Sequence, residues 1–280
     1  MKQRKISSSQ LEDFANDLAE DEKSKATIEK YLRDIRHFSE FVANSVITKS
    51  LILSYKATLE REYAVSSANS MLAALNTFLK FVGWDDLCVK QFRVQKKIYS
   101  REEKELTKEE YVRLIRTANK KGNERLSLLI QTICGTGIRV SELPYITVEA
   151  VRKGEAVVSC KGKTRTVFIV SKLQKKLLKY VKEQRRQSGM VFVTKSGKEM
   201  NRSNIWKAMK ELCKEADVSP EKVFPHNLRH LFARTFYGIE KDIAKLADIL
   251  GHSNINTTRI YIITTGAEHK QRMERMRLII

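Results

Sequence analysis

Between Phe224 and Ile262 the chain concentrates groups that can do chemistry: His226, Arg229, His230, His252 and Tyr261. His226 and His230 stand at i and i+4, a spacing that can bind zinc. The residue after His226 is Asn227, however, where a zinc hydrolase of that pattern needs glutamate, and no acidic third ligand follows closely. No metal is expected. A packed helix accounts for His230, which heads HLFARTF on an apolar face, but accounts poorly for His226 and Arg229. Their i, i+3 spacing after Pro225 sets an imidazole and a guanidinium at a helix start, where backbone dipoles favour an anion.

A second arginine, Arg139, follows the turn GTGI with Glu142 one turn later. An internal Arg139–Glu142 ion pair is one reading. Two arginines, a hairpin lysine, two histidines and a tyrosine taken together admit another. Arginines fork onto the non-bridging oxygens of a phosphodiester. A tyrosine oxygen can attack phosphorus, and phosphoryl transfer depends mainly on charge stabilisation and alignment.

The elements that must position these groups read as follows. The first 95 residues show apolar residues at three- and four-residue spacing in four stretches, which predicts a small helical bundle. In the second stretch Ile28, Tyr31, Leu32, Ile35, Phe38 and Val42 form one stripe. Ser24, Thr48 and Ser66 or Ser67 occupy N-cap positions. Residues 96–106 are charged and aperiodic, a linker. Thr107 and Glu110 form a capping box that opens a second domain, residues 107–280. There RLSLLIQTICGTG predicts an apolar helix ended by glycines, and IRVSELPYI a short helix stopped by Pro144. EAVVSC, KGKTRTVFIV and GMVFVTKSGKEM predict short strands and hairpins. From Asn201 onward the pattern is helical again, with turns at Pro220, Gly238 and Gly251. The fold class expected is mainly α with a small β-sheet in the C-terminal domain.

Composition narrows the partners. With 53 Lys and Arg against 33 Asp and Glu, the net charge is +20. The excess is segregated: 35 basic residues face 17 acidic ones from residue 107 onward, whereas the first 95 residues are nearly balanced. Such an excess marks a polyanion partner, nucleic acid before a membrane surface. No apolar run approaches the ~20 residues of a bilayer span. The N-terminus lacks a signal peptide's apolar stretch, so a cytoplasmic protein is expected. Cys88, Cys134, Cys160 and Cys213 stand far apart and read as reduced thiols.

The series GTGIRVSEL, SCKGKTRTV, PHNLRH and LGHSNINTTRIY resembles the tyrosine recombinase (phage integrase) family, in the layout of its Xer-type members. The resemblance spans nearly the whole chain. It implies an N-terminal SAM-like core-binding domain followed by an α+β catalytic domain with a C-terminal tail, residues 267–280. Carried over residue by residue, Arg139 matches the first catalytic arginine and Lys161 the hairpin lysine, with Lys163 nearby. His226 and Arg229 match the HxxR pair, His252 the LGH histidine and Tyr261 the nucleophile. The chain departs from relatives where Ile262 and Ile263 follow the tyrosine, and its linker lacks prolines. The resemblance further implies DNA strand exchange through a 3′-phosphotyrosyl link with neither metal nor cofactor. Its expected partners are a specific double-stranded DNA site and four copies of the chain on two duplexes, the free protein being a monomer. A type IB topoisomerase and a non-catalytic DNA-binding protein are the alternative readings.

Overall fold

A computed structural model describes residues 4–43, 45–93, 105–160, 163–262, 270 and 273–276. The chain divides into two compact units, Met1–Lys96 and Lys97–Ile280. Of the expected linker, residues 96–104 lie outside the described residues.

The first unit contains four helices, α1 (Ser8–Glu20), α2 (Lys25–Val42), α3 (Lys49–Glu62) and α4 (Val65–Phe81). Burial of their apolar stripes against one another is what holds them, since isolated helices of this length are marginal in water. Ile35, Phe38 and Val42 of α2 are buried, and Ile28, Tyr31 and Leu32 pack at the edge of the same core. Phe14 of α1 meets Phe78 of α4 edge to face at 5.3 Å. Ser24 and Thr48 cap α2 and α3 as expected. Helix α4 instead begins at Val65, so both serines lie inside its first turn, and its N-cap position, Ala64, has no side-chain cap. The backbone does the work there, Ser67 N–H reaching the Ala64 carbonyl.

The second unit opens on α5 (Lys108–Lys120), whose Thr107–Glu110 capping box is complete. Helix α6 (Glu124–Thr136) runs through the core and is buried on nearly every side. Around it stand α7 (Val148–Lys153), α8 (Ser171–Glu183), α9 (Arg202–Ala216) and α10 (Pro225–Glu240). Two antiparallel strands, β1 (Glu155–Cys160) and β2 (Lys163–Phe168), form the one sheet among the described residues. Their register sets Ala156, Val158 and Val167 on the buried face, and Val157 and Phe168 on the exposed one. The chain ends its described helices with α11 (Ile243–Leu250) and α12 (Ile255–Arg259), followed by a 3₁₀ turn at Ile260–Ile262. Among the described residues no helix is long and apolar enough to cross a membrane.

Two expectations are corrected here. The third predicted β segment, GMVFVTKSGKEM, is reduced to the isolated bridges Thr147–Met190 and Val193–Glu199. Val191, Phe192 and Val193 are buried consecutively, so the segment works as a core plug and lacks the alternation of a half-exposed strand. Gly238 does not end its helix: α10 continues to Glu240, with Lys241 left-handed at φ 58°. The break is imposed from downstream, where the Asp242 carboxylate accepts from Ala244 and Lys245 N–H and starts α11.

Candidate active site

The arginine that follows α6 is positioned by a helix stop. Gly137 caps α6 in the left-handed conformation, φ 68°, and its N–H donates to the Ile133 carbonyl. A Cβ at this position would lie 2.5 Å from Phe232 Cδ1 and 3.1 Å from Leu250 Cδ2. Only glycine lets α10 and α11 approach this closely. Arg139 then starts a 3₁₀ turn, Val140–Tyr145, with Glu142 folded back on it. The Arg139 backbone N–H donates to Glu142 Oε2 at 2.8 Å, and its Nη1 donates to Oε1 at 2.9 Å.

Arg229 emerges from the first turns of α10 into the interior and is only 2 % exposed. Its Nη1 donates to the Gly137 carbonyl at 2.6 Å, and Nη2 to the Leu250 carbonyl at 2.7 Å. Both acceptors are at the C-terminal ends of helices, α6 and α11, where partial negative charge collects. Nε has no hydrogen-bond partner among the described residues. Burial and the neighbouring Arg139 lower the Arg229 pKa to about 10, against the pull of Tyr261 and Glu142. The group is cationic at neutral pH.

His252 follows the α11 cap at Gly251, and its N–H donates to the Ala247 carbonyl. Its ring bridges two partners: Arg229 Nη2 lies 2.9 Å from Nε2, and Thr258 Oγ1 lies 2.8 Å from Nδ1. A guanidinium can only donate. Nε2 therefore carries the lone pair, and Nδ1–H donates to Thr258, which is fully buried. Burial, followed by the charges of Arg229, Arg139 and Arg165, lowers the His252 pKa to about 4.

Tyr261 sits on the 3₁₀ turn, 4 % exposed, against Ala233, Leu246 and Leu250. Three imidazoles surround its ring, with centroids at 5.3 Å for His226, 5.0 Å for His230 and 5.5 Å for His252. His226 faces solvent from the first turn of α10. Partial burial, then the charges of His230, Arg229, Arg202 and Arg139, hold its pKa below the usual imidazole range. Burial does the same to His230, opposed by its hydrogen bond to the Ile260 carbonyl.

Arg139, His226, Arg229, His252 and Tyr261 thus converge within one unit. Lys161 lies outside the described residues, and of Lys163 only the backbone, paired with Cys160, is described. Two participants were missed in the sequence. His230, read there as a helix-packing residue, is a wall of the tyrosine's pocket; its i+4 spacing from His226 was the available signal. Arg165 of β2 forks onto Glu142, Nη1 to Oε1 at 2.9 Å and Nη2 to Oε2 at 2.7 Å. No local pattern marks it.

Set against known proteins, residues 104–267 match the model of the phage integrase family, and residues 11–85 that of the phage integrase N-terminal SAM-like domain. Tyrosine recombinase XerA of Pyrococcus furiosus is 30% identical over 287 aligned positions, covering 100% of this chain and 98% of that protein. In fold, the chain is similar to XerH site-specific recombinase bound to its difH substrate. The TM-score there is 0.72 at 22% identity, covering 98% of this chain and 85% of the other. A lambda integrase tetramer bound to a Holliday junction gives a TM-score of 0.73 at 17% identity, with 90% and 76% covered.

Proposed function

The chain belongs to the phage integrase family and is a tyrosine-type site-specific recombinase; from that premise we propose how its side chains cut and rejoin DNA. The observation that carries the reading is the Tyr261 ring packed among His226, His230 and His252, with the His252 ring bonded to the buried Arg229 guanidinium. The Tyr261 oxygen attacks the scissile phosphorus while the bond to the 5′ oxygen breaks, leaving a 3′-phosphotyrosyl link and a free 5′-hydroxyl. Arg139 and Arg229 hold the non-bridging oxygens and stabilise the charge that grows in the transition state. His226, neutral and beside the phenol, takes its proton. Lys161, or Lys163 in its place, protonates the departing oxygen.

His252 requires one rearrangement. As placed, its Nε2 accepts from Arg229 and cannot donate to phosphate. The phosphate's negative charge favours the protonated imidazole, and Nε2–H then turns from Arg229 to a phosphate oxygen. The bond energy is kept in the phosphotyrosine, so the 5′-hydroxyl of a second duplex displaces Tyr261 with neither a nucleotide nor a metal. The partners are a specific double-stranded site and further copies of the chain, four on two duplexes, acting in the cytoplasm. XerH is seen on its difH substrate and lambda integrase as a tetramer on a Holliday junction, which supports that assembly.

The test is covalent capture on a nicked duplex that lets the 5′ fragment diffuse away. The wild-type chain should accumulate a protein–DNA adduct, and Tyr261→Phe should bind the same duplex with unchanged affinity and form none. An adduct in the phenylalanine variant moves the nucleophile elsewhere, Tyr237 of α10 being the neighbour to examine. Exchange between two marked duplexes separates recombination from the religation of one strand by a topoisomerase-like enzyme.

A further inference from the structure

Glu142 is 1 % exposed, yet it carries a full charge, with its pKa lowered to about 2. Burial alone would raise it; hydrogen bonds from Arg165 and from the Arg139 backbone and side chain overcome that. Two guanidiniums therefore share one carboxylate, and the cluster keeps one net positive charge. The two arginines are not equivalent. Arg165 is 13 % exposed, and its donors are engaged: Nη1 and Nη2 grip both oxygens of Glu142, and Nε donates to the Ile249 carbonyl at 3.1 Å. The Arg139 side chain is 35 % exposed and its guanidinium touches Glu142 through Nη1 alone, while Nη2 reaches the Gly251 carbonyl only at 3.5 Å. All three nitrogens of the inner guanidinium are engaged, and the outer one is open.

The fold makes room for this arrangement. A Cβ on Gly251 would lie 2.9 Å from Arg165 Cδ and 3.1 Å from its Nη1. The same guanidinium thereby joins three parts of the unit: strand β2, the C-terminal end of α11 just before His252, and the turn that carries Arg139.

We propose that Arg165 is a positioning residue for strand cleavage. By neutralising and gripping Glu142, it leaves the Arg139 guanidinium its charge and its outer edge for the scissile phosphate. Without Arg165, the carboxylate is free to take Arg139 in a bidentate pair and cancel its charge. The inference rests on Arg139 being a phosphate ligand.

The experiment measures the first-order cleavage rate on a saturating nicked half-site, alongside the Kd for that half-site. Arg165→Met should cleave roughly ten- to a hundredfold more slowly, part of what losing an anion-stabilising donor costs, with Kd changed less than about twofold. The decisive variant is Arg165→Met with Glu142→Gln. Removing the carboxylate's charge frees Arg139, so the double variant should cleave faster than the single. A merely structural Arg165 predicts the reverse, because a second buried group has been disturbed. Wild-type cleavage by Arg165→Met, or a double variant slower than the single, overturns the proposal. Should Arg165→Met fail to fold, Arg165→Lys and its Glu142→Gln partner give the same comparison. Arg139→Ala separates the premises: cleavage at the wild-type rate there removes Arg139 from the phosphate, whereas an inactive Arg139→Ala beside an unaffected Arg165→Met refutes only the role of Arg165.

Discussion

Around Tyr261 the imidazoles are held neutral beside cationic arginines. Burial lowers the pKa of His226, His230 and His252, nearby arginines adding to it at His226 and His252, so the three imidazoles are unprotonated at neutral pH. This has a consequence for stability with a definite sign. A histidine whose folded pKa is depressed contributes stability that is full above the unfolded value, near 6.5, and is lost as pH falls through the folded one. For His252 the window runs from 6.5 to about 4. Glu142, lowered from 4.5 to about 2, contributes a second window below it, lost as pH falls from 4.5 toward 2. The urea midpoint of the folded chain should therefore be flat above about pH 6.5 and fall in two stages on acidification. His252→Gln should flatten part of the upper stage, and an unchanged curve would show that His252 is not held neutral. At this scale residue type and spacing, together with the family resemblance, singled out Arg139, His226, Arg229, His252 and Tyr261, and the structure brings these five side chains into one cluster. Arg165 was not singled out, because its partners Glu142 and Ile249 lie 23 and 84 residues away. On a strand it reads only as one more basic residue in a basic chain.

The elements were legible where a short-range signal fixes them. The stripe of α2, the caps Ser24 and Thr48 and the Thr107–Glu110 box concern residues within one or two turns of each other. Boundaries set by more distant or weaker effects were not. Gly238 looks like a stop, but with nothing within 4 Å of the position of its missing Cβ it sits in α10 without constraint, and the Asp242 cap decides the break. The third predicted β segment failed for a different reason: its apolar residues are held by the core around them, which local alternation does not report. Gly137 ties an element boundary to the site, since it ends α6, leaves room for Phe232 and Leu250, and offers its carbonyl to Arg229. Gly137→Ala should destabilise the catalytic unit by about 2–3 kcal/mol, a left-handed residue costing ~1 and the ring contact the rest. Gly122→Ala is the control, because its φ of 67° is similar and its surroundings are open. It should cost only about 1 kcal/mol. Equal losses at the two positions would mean that Phe232 yields freely and that the close approach is not what glycine secures.

At the scale of the molecule, two features bear on DNA and on further copies of the chain: the segregated positive charge and the apolar residues of the tail. The basic excess lies in the half that carries Tyr261, the half a phosphodiester must reach. Beyond the tyrosine, residues 263–269, 271, 272 and 277–280 lie outside the described residues, which leaves residue 270 and the segment 273–276. There Met276 N–H returns to the Met273 carbonyl, one turn of chain, and the two side chains are 58 % and 60 % exposed. Two methionines on one face cost free energy in water that a covering surface would recover, about 25 cal/mol for each Å² buried. The sequence places Ile279 and Ile280 at the same three- and four-residue spacing, four apolar residues in all that a docking surface would cover. Docking on the chain's own catalytic unit and docking on a neighbour differ in one measurable respect, their dependence on a second protomer. Trans docking is favoured, because the described methionines remain exposed in the single chain. Removing residues 269–280 should then leave the affinity of one copy for a half-site within about twofold, since charged contacts to phosphate dominate it. Cooperative filling of a full site should drop, and strand exchange with it, while the nicked half-site still traps a covalent adduct through Tyr261. A truncated chain that fills both half-sites as cooperatively as the intact one would assign the tail to its own unit, and the contacts between copies to another surface.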